Sequence, residues 1–164
     1  MWVCELIMRY DIQDSPLGPI VAVKDDTGLR YLSFQQGNHP LSLDAEWKKD
    51  QRALKNTFDQ IQAYFAGELF AFDLPLAPMG SSFQQSVWKA LMEIPYGQTA
   101  SYGNIAEAIG NPRACRAVGG ANGKNPIALI IPCHRVIGTN GNLVGYGGGL
   151  KLKAALLKFE ALNT

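Results

Sequence analysis

Ser101-Tyr-Gly-Asn-Ile-Ala-Glu-Ala-Ile-Gly110 runs straight into Asn111-Pro-Arg-Ala-Cys-Arg-Ala-Val-Gly-Gly-Ala-Asn-Gly123, and this stretch constrains the fold more than any other. Ser101 is a good N-cap for a first short helix that ends at Gly110. Asn111 as a cap and Pro112 at the first helical position then predict an immediate restart over Arg113–Gly123. Two short helices about a tight turn read as a helix-turn-helix, or as an ordinary helical hairpin packed in a core. The second helix is built from small residues and two arginines. A major-groove reader needs long polar side chains to reach base edges. Small residues instead let a backbone lie against a surface, which suits a minor groove into which one arginine inserts.

Upstream, Phe83, Val87 and Leu91 predict another helix, stopped by Ile94-Pro-Tyr-Gly97. Pro75-Leu-Ala-Pro-Met-Gly80 reads as a linker, dividing the chain into domains 1–76 and 77–164. In the first of these, Leu6–Tyr10 is a candidate strand. Pro19–Val23 and Leu29–Phe34 flank the hairpin turn Asp25-Asp-Thr-Gly28. Leu54, Phe58, Ile61 and Phe65 recur at helical spacing up to Gly67.

With 164 residues, 47% of them apolar and 18% charged, the composition is that of a globular protein. The N-terminus reaches acidic residues too soon for a secretory leader, and no run is apolar enough to cross a bilayer. The net charge of +1 hides an asymmetry. Residues 1–80 carry 7 Lys/Arg against 11 Asp/Glu, whereas residues 81–164 carry 8 against 3. Chance segregation is one reading; the other is that only the second half meets a polyanion. Cys4, Cys115 and Cys133 form no even framework, so free thiols in a reducing compartment are expected.

Pro132-Cys-His-Arg-Val136 carries the chemistry. It follows Ile127-Ala-Leu-Ile-Ile131, which reads as a buried strand. A His within reach of a Cys can take its proton and lower its pKa. Neighbours on a strand face opposite ways, but Pro132 breaks the strand, and a turn there would bring the imidazole round directly or through a water. Asn125 is placed to brace that turn. Leu152, Leu156 and Phe159 mark the apolar face of a C-terminal helix, and Glu160 lies near that face, able to orient His134. Each feature alone has a plainer reading: a structural Cys, a packed His, a solvated Glu. Cys4 and His39 cannot make a four-ligand zinc site. No cofactor or metal is called for.

Taken together, Asn125–Val136, Arg116-Ala-Val-Gly-Gly-Ala121 and Gly145-Tyr-Gly-Gly-Gly149 resemble the O6-alkylguanine-DNA alkyltransferases from about Phe83 to Glu160. The resemblance implies an α/β fold: a small N-terminal α/β domain around an antiparallel sheet, and a mainly helical, winged-helix-like C-terminal domain. It implies Cys133 as alkyl acceptor, His134 as base through a water, Glu160 holding the imidazole, and Asn125 stabilising the turn. Arg116 would enter the duplex, Tyr102 would help rotate the base, and Asn111 would contact DNA. Tyr146, Gly147, Gly148 and Val136 would line the pocket, with the Cys133 and Val136 carbonyls receiving the guanine amino group. Arg135 would tie the loop down. The implied partner is double-stranded DNA carrying O6-alkylguanine, met through the minor groove by a monomer with no membrane association. The compartment would be that of the genome, cytoplasmic in a prokaryote and nuclear in a eukaryote. Three glycines from Gly147 depart from relatives with Ser or Ala there, and Asn122 replaces a longer apolar side chain in others. Cys115 reads as a packing residue or a second open thiol. A damage sensor that binds without transfer, a methylation-signalling regulator and a Cys–His hydrolase are the competing functions.

Overall fold

The structure, a computed structural model, describes residues 7–146 and 148–164; Cys4, Leu6 and Gly147, on which expectations fall, lie outside them. The N-terminal domain is built on a four-stranded sheet of order β3-β2-β1-β4. Its strands are β1 (Arg9–Gln13), β2 (Ile20–Lys24), β3 (Leu29–Phe34) and β4 (Lys48–Lys49). The first three pair antiparallel, but β4 runs parallel to β1, so the sheet is mixed rather than purely antiparallel. The chain crosses back from β3 to the far edge, and that return brings β4 in alongside β1.

The β2–β3 turn forms as expected. Asp25 accepts the backbone N–H groups of Thr27 and Gly28 and pairs with Arg30 at 2.7 Å. Helix α1 (Lys55–Phe65) buries Phe58, Ile61 and Tyr64. The Pro75–Gly80 segment is no loose tether: Leu29 N–H donates to Pro75, Ala77 N–H to Leu29, and Arg30 to the Ala77 carbonyl.

In the C-terminal domain, α2 (Ser82–Met92) opens on a capping box of Ser81 and Gln84. Strand β5 (Ala100–Ser101) leads into α3 (Tyr102–Ala108), capped by Ser101 with Asn104, and then α4 (Cys115–Gly123). Here α4 starts later than its sequence suggests. Asn111 and Pro112 form a separate turn, closed by Ala114 N–H on the Asn111 carbonyl, so the helix begins at Cys115 rather than Arg113. A two-residue strand β6 (Val136–Ile137) pairs parallel to β5, and α5 (Leu150–Leu162) closes the domain. Among the described residues, no helix is long and apolar enough to cross a membrane.

Ile127–Ile131 is not a strand. Only Ile127 bridges to β3, at Leu32; the backbone then folds into a buried turn, with Leu129 at φ +71° and Ile131 N–H on the Ile127 carbonyl. Short apolar runs cannot be assigned to strand or turn by pattern alone. The deciding group is Asn125, whose side chain accepts from Ile127 N–H at 3.0 Å and donates to the Ile131 carbonyl at 2.8 Å. From the other domain, β3 grips the same turn through Leu32, which donates to Pro126 and accepts from Ala128. Asn125→Ala leaves two polar backbone groups of this turn without partners and is expected to cost about 2–3 kcal/mol in urea denaturation.

Candidate active site

The braced turn delivers the chain into a short 3-10 turn, Cys133–Arg135. With three residues per turn, neighbours there sit about a third of a turn apart instead of on opposite faces. The site follows from that change. Cys133 is 5% exposed and His134 fully buried. His134 Nε2 lies 2.8 Å from Glu160 Oε1 on α5. Glu160 is held on every side: Arg135 donates to both of its oxygens at 2.9 Å, Tyr64 donates to Oε1 at 2.8 Å, and Gly97 N–H approaches Oε2 at 3.5 Å.

These donors outweigh the cost of burial and hold the Glu160 carboxyl down at about 2, so it is ionised. An ionised acceptor fixes the neighbouring tautomer: the proton sits on Nε2 of His134. Burial is the largest influence on the imidazole and lowers its pKa despite Glu160, so the ring is neutral. Its Nδ1 is buried and has no hydrogen-bond partner among the described residues. His134 is next to Cys133 in the chain, and a buried imidazole nitrogen with a free lone pair can accept a proton.

The thiol itself departs from expectation. Burial pushes the Cys133 pKa up, and the opposing influence of Asn125, Lys153 and Tyr146 does not reverse this. At rest Cys133 is a thiol, with the thiolate formed only on demand. Lys153 is fully buried on α5, its ammonium donating to the carbonyls of Val136, Val144 (3.0 Å) and Gly145 (3.3 Å). It ties the glycine-rich segment to the site and leaves a positive charge near Cys133.

Cys133, His134, Glu160 and Asn125 are thus brought together. Tyr146 stands over the thiol with its hydroxyl buried. At Gly148 a Cβ would sit 2.6 Å from Leu152 and 2.9 Å from the Tyr146 ring, so a side chain there requires both neighbours to shift. The Val136 carbonyl already receives Lys153. The Cys133 carbonyl receives Val136 N–H and, at 3.5 Å, Asn122. Tyr102, first residue of α3, donates to the Val144 carbonyl at 3.0 Å and stands close enough to Cys133 for the two to interact electrostatically. Arg116 and Asn111 sit apart from the thiol, exposed on α4 and on the turn before it. Around Arg116, α4 shows Ala117, Gly120 and Gly123 to solvent, a smooth surface with nothing near the last two. A cavity of about 380 Å³ opens between the loop after β3 and residues 122–128, with Cys133 and Tyr146 in its wall.

Sequence reasoning missed Tyr64 and Lys153. The buried face of α5 is Lys153, Leu156 and Glu160, whereas Leu152 and Phe159 are only partly buried. The i, i+3, i+7 spacing from Lys153 was a usable signal. Tyr64 offered none, being 96 residues from its partner.

Fold and site together define a class: a two-domain protein with a buried Cys-His-Glu cluster behind a helix-turn-helix. A family model for the DNA binding domain of 6-O-methylguanine DNA methyltransferase matches residues 82–162, and one for its ribonuclease-like domain matches residues 8–78. The chain is 53% identical over 153 residues to a methylated-DNA-protein-cysteine methyltransferase of Methanosarcina acetivorans, covering 93% of this chain and 98% of that one. Identity is 51% over 154 residues to the protein of the same name in Mycobacterium tuberculosis, covering 94% and 93%. The crystal structure of Mycobacterium tuberculosis OGT in complex with DNA matches at TM-score 0.88 and 49% identity, over 95% of this chain and 94% of that one. The protein belongs to the 6-O-methylguanine DNA methyltransferase family.

The depressed pKa of Glu160 means that its contribution to stability is complete above the ordinary carboxylate range and is lost as pH falls towards about 2. The lowered pKa of His134 acts the same way, because below its ordinary 6.5 the unfolded chain takes up the proton first. Urea denaturation should therefore show stability falling steadily from about pH 7 to pH 3. Glu160→Gln should flatten the lower part of that curve and cost about 3–5 kcal/mol at neutral pH, since Arg135 is left buried without its charge partner.

Proposed function

We propose that the protein repairs DNA by moving the alkyl group from O6 of guanine to Cys133 Sγ, once per molecule. The observation that carries this reading is the neutral His134, next in the chain to the buried Cys133, its Nε2–H on an ionised Glu160 and its Nδ1 without a partner among the described residues. His134 takes the thiol proton through a water, and the thiolate attacks the alkyl carbon in line. The S–C bond forms as the C–O6 bond breaks, and the electron pair leaves on the base. Overall, thiol and O6-alkylguanine become thioether and guanine, the thiol proton replacing the alkyl group. No co-reactant is needed, and a thioether is stable to water, so each molecule acts once.

An O6-alkyl group is shielded inside a duplex, so the base must leave the stack at a cost of a few kcal/mol. The smooth outer surface of α4 suits close approach to a minor groove, with Arg116 filling the gap left by the flipped nucleotide. Tyr102 stands between that helix and the thiol, placed to guide the base. Its amino group would use the remaining lone pair of the Val136 carbonyl and displace the long Asn122 contact at Cys133. That a 49% identical relative has been solved in complex with DNA supports DNA as the partner.

The test is a duplex carrying one O6-methylguanine, with both products weighed. One methyl gained on Cys133, matched by one restored guanine and no second round, is the expected result; Cys133→Ala should gain nothing. Binding without a mass change would make the protein a damage sensor instead. Arg116→Ala should slow transfer from the duplex by about tenfold or more, equivalent to 1.4 kcal/mol. Its transfer from the free alkylated base should match the parent protein, because no stack then has to be opened.

A further inference from the structure

We infer that Tyr64, in the N-terminal domain, is a positioning residue for the Cys133 reaction, its hydroxyl fixing the Glu160 oxygen that holds the Nε2 proton of His134. This rests on the alkyl-transfer reading and adds to it a residue from outside the DNA-facing domain. Tyr64 lies on α1 and is 1% exposed. Its hydroxyl donates to Glu160 Oε1 at 2.8 Å, the same atom that faces His134 Nε2 at 2.8 Å and receives an Arg135 N–H at 2.9 Å.

Packing does not require that hydroxyl. The Tyr64 ring stacks on Phe72 at 5.7 Å between centroids and meets Phe159 at 5.4 Å and Tyr96 at 5.9 Å, contacts that a phenylalanine would keep. Burying a phenol oxygen costs free energy unless it is hydrogen-bonded, so its worth lies in the bond it makes. That bond ends on the one carboxylate that orients the base. Burial and Glu160 both hold the Tyr64 pKa far above the working range, so the hydroxyl remains a donor throughout.

The chemical consequence follows from how donors share a carboxylate. Glu160 is faced by His134 and Arg135 from the 3-10 turn, by Tyr64 from α1 and by Tyr96 from the loop after α2. His134 in turn is faced by Glu160, Arg135 and Lys153, with Cys133 adjacent. Each donor on Oε1 makes the carboxylate a weaker base, which keeps the Nε2 proton on the ring and leaves Nδ1 with the free lone pair. It also limits how strongly Glu160 stabilises an imidazolium, so His134 stays neutral at lower pH. With the hydroxyl removed, Glu160 becomes more basic and His134 protonates at higher pH.

Tyr64→Phe tests this by two readouts. The first is the rate of methyl transfer from an O6-methylguanine duplex between about pH 5 and pH 9. The acid limb of the variant should move up by roughly half a unit or more, with the rate on that limb falling about threefold and the rate well above it unchanged. The second needs no reaction: nitrogen NMR of the His134 ring should show its protonation midpoint raised by the same amount. A profile and a midpoint that superimpose on the parent protein would overturn the inference even if Tyr64→Phe melted earlier, since lost packing moves neither. A parent protein that transfers no methyl would overturn the alkyl-transfer reading as well, and is told apart because it fails before any variant is compared.

Discussion

One buried carboxylate organises this molecule. Glu160 has no solvent of its own, and an ionised carboxylate inside a protein persists only when donors surround it. Those donors come from the first domain (Tyr64), the segment after α2 (Gly97) and the signature turn (His134 and Arg135), with α5 carrying the carboxylate itself. The four segments are thereby held to one point. The same bonds that make the charge tolerable also set the imidazole tautomer, so stability and reactivity depend on a single group.

The second constraint is the turn over residues 125–135. Its backbone is buried, and every buried N–H and C=O has to be matched. Asn125 matches two from within, and Leu32 of β3 matches two from the neighbouring domain. The N-terminal domain thus supports the segment around Cys133 twice, through Leu32 of β3 at the turn and through Tyr64 of α1 at the carboxylate.

Electrostatics at the site favour a thiol kept in reserve. Burial raises the Cys133 pKa, and Asn125, Lys153 and Tyr146 only partly offset it, so Cys133 rests as a buried thiol rather than an anion. Cys115, exposed on α4, has none of this surrounding machinery.

Much of this was legible in the chain itself, because it depends on local chemistry. Ser101 had to cap a helix and Asp25–Gly28 had to turn; a Cys and a His beside a proline, with Asn125 and Glu160 at their distances, pointed to a family and a reaction. What was not legible depended on contacts between distant segments. Ile127–Ile131 reads equally well as strand or turn, and only Asn125 and β3 together choose the turn. Asn111 and Pro112 look like a helix start, but Asn111 is occupied in ending α3, so α4 begins later. Lys153 looks like a solvated lysine until three carbonyls converge on it. Tyr64 has the spacing of any core aromatic on α1, and no pattern along the chain says that its hydroxyl will meet a carboxylate 96 residues away. Periodicity and caps act over a few residues; the burial of a charge is decided by everything that closes around it.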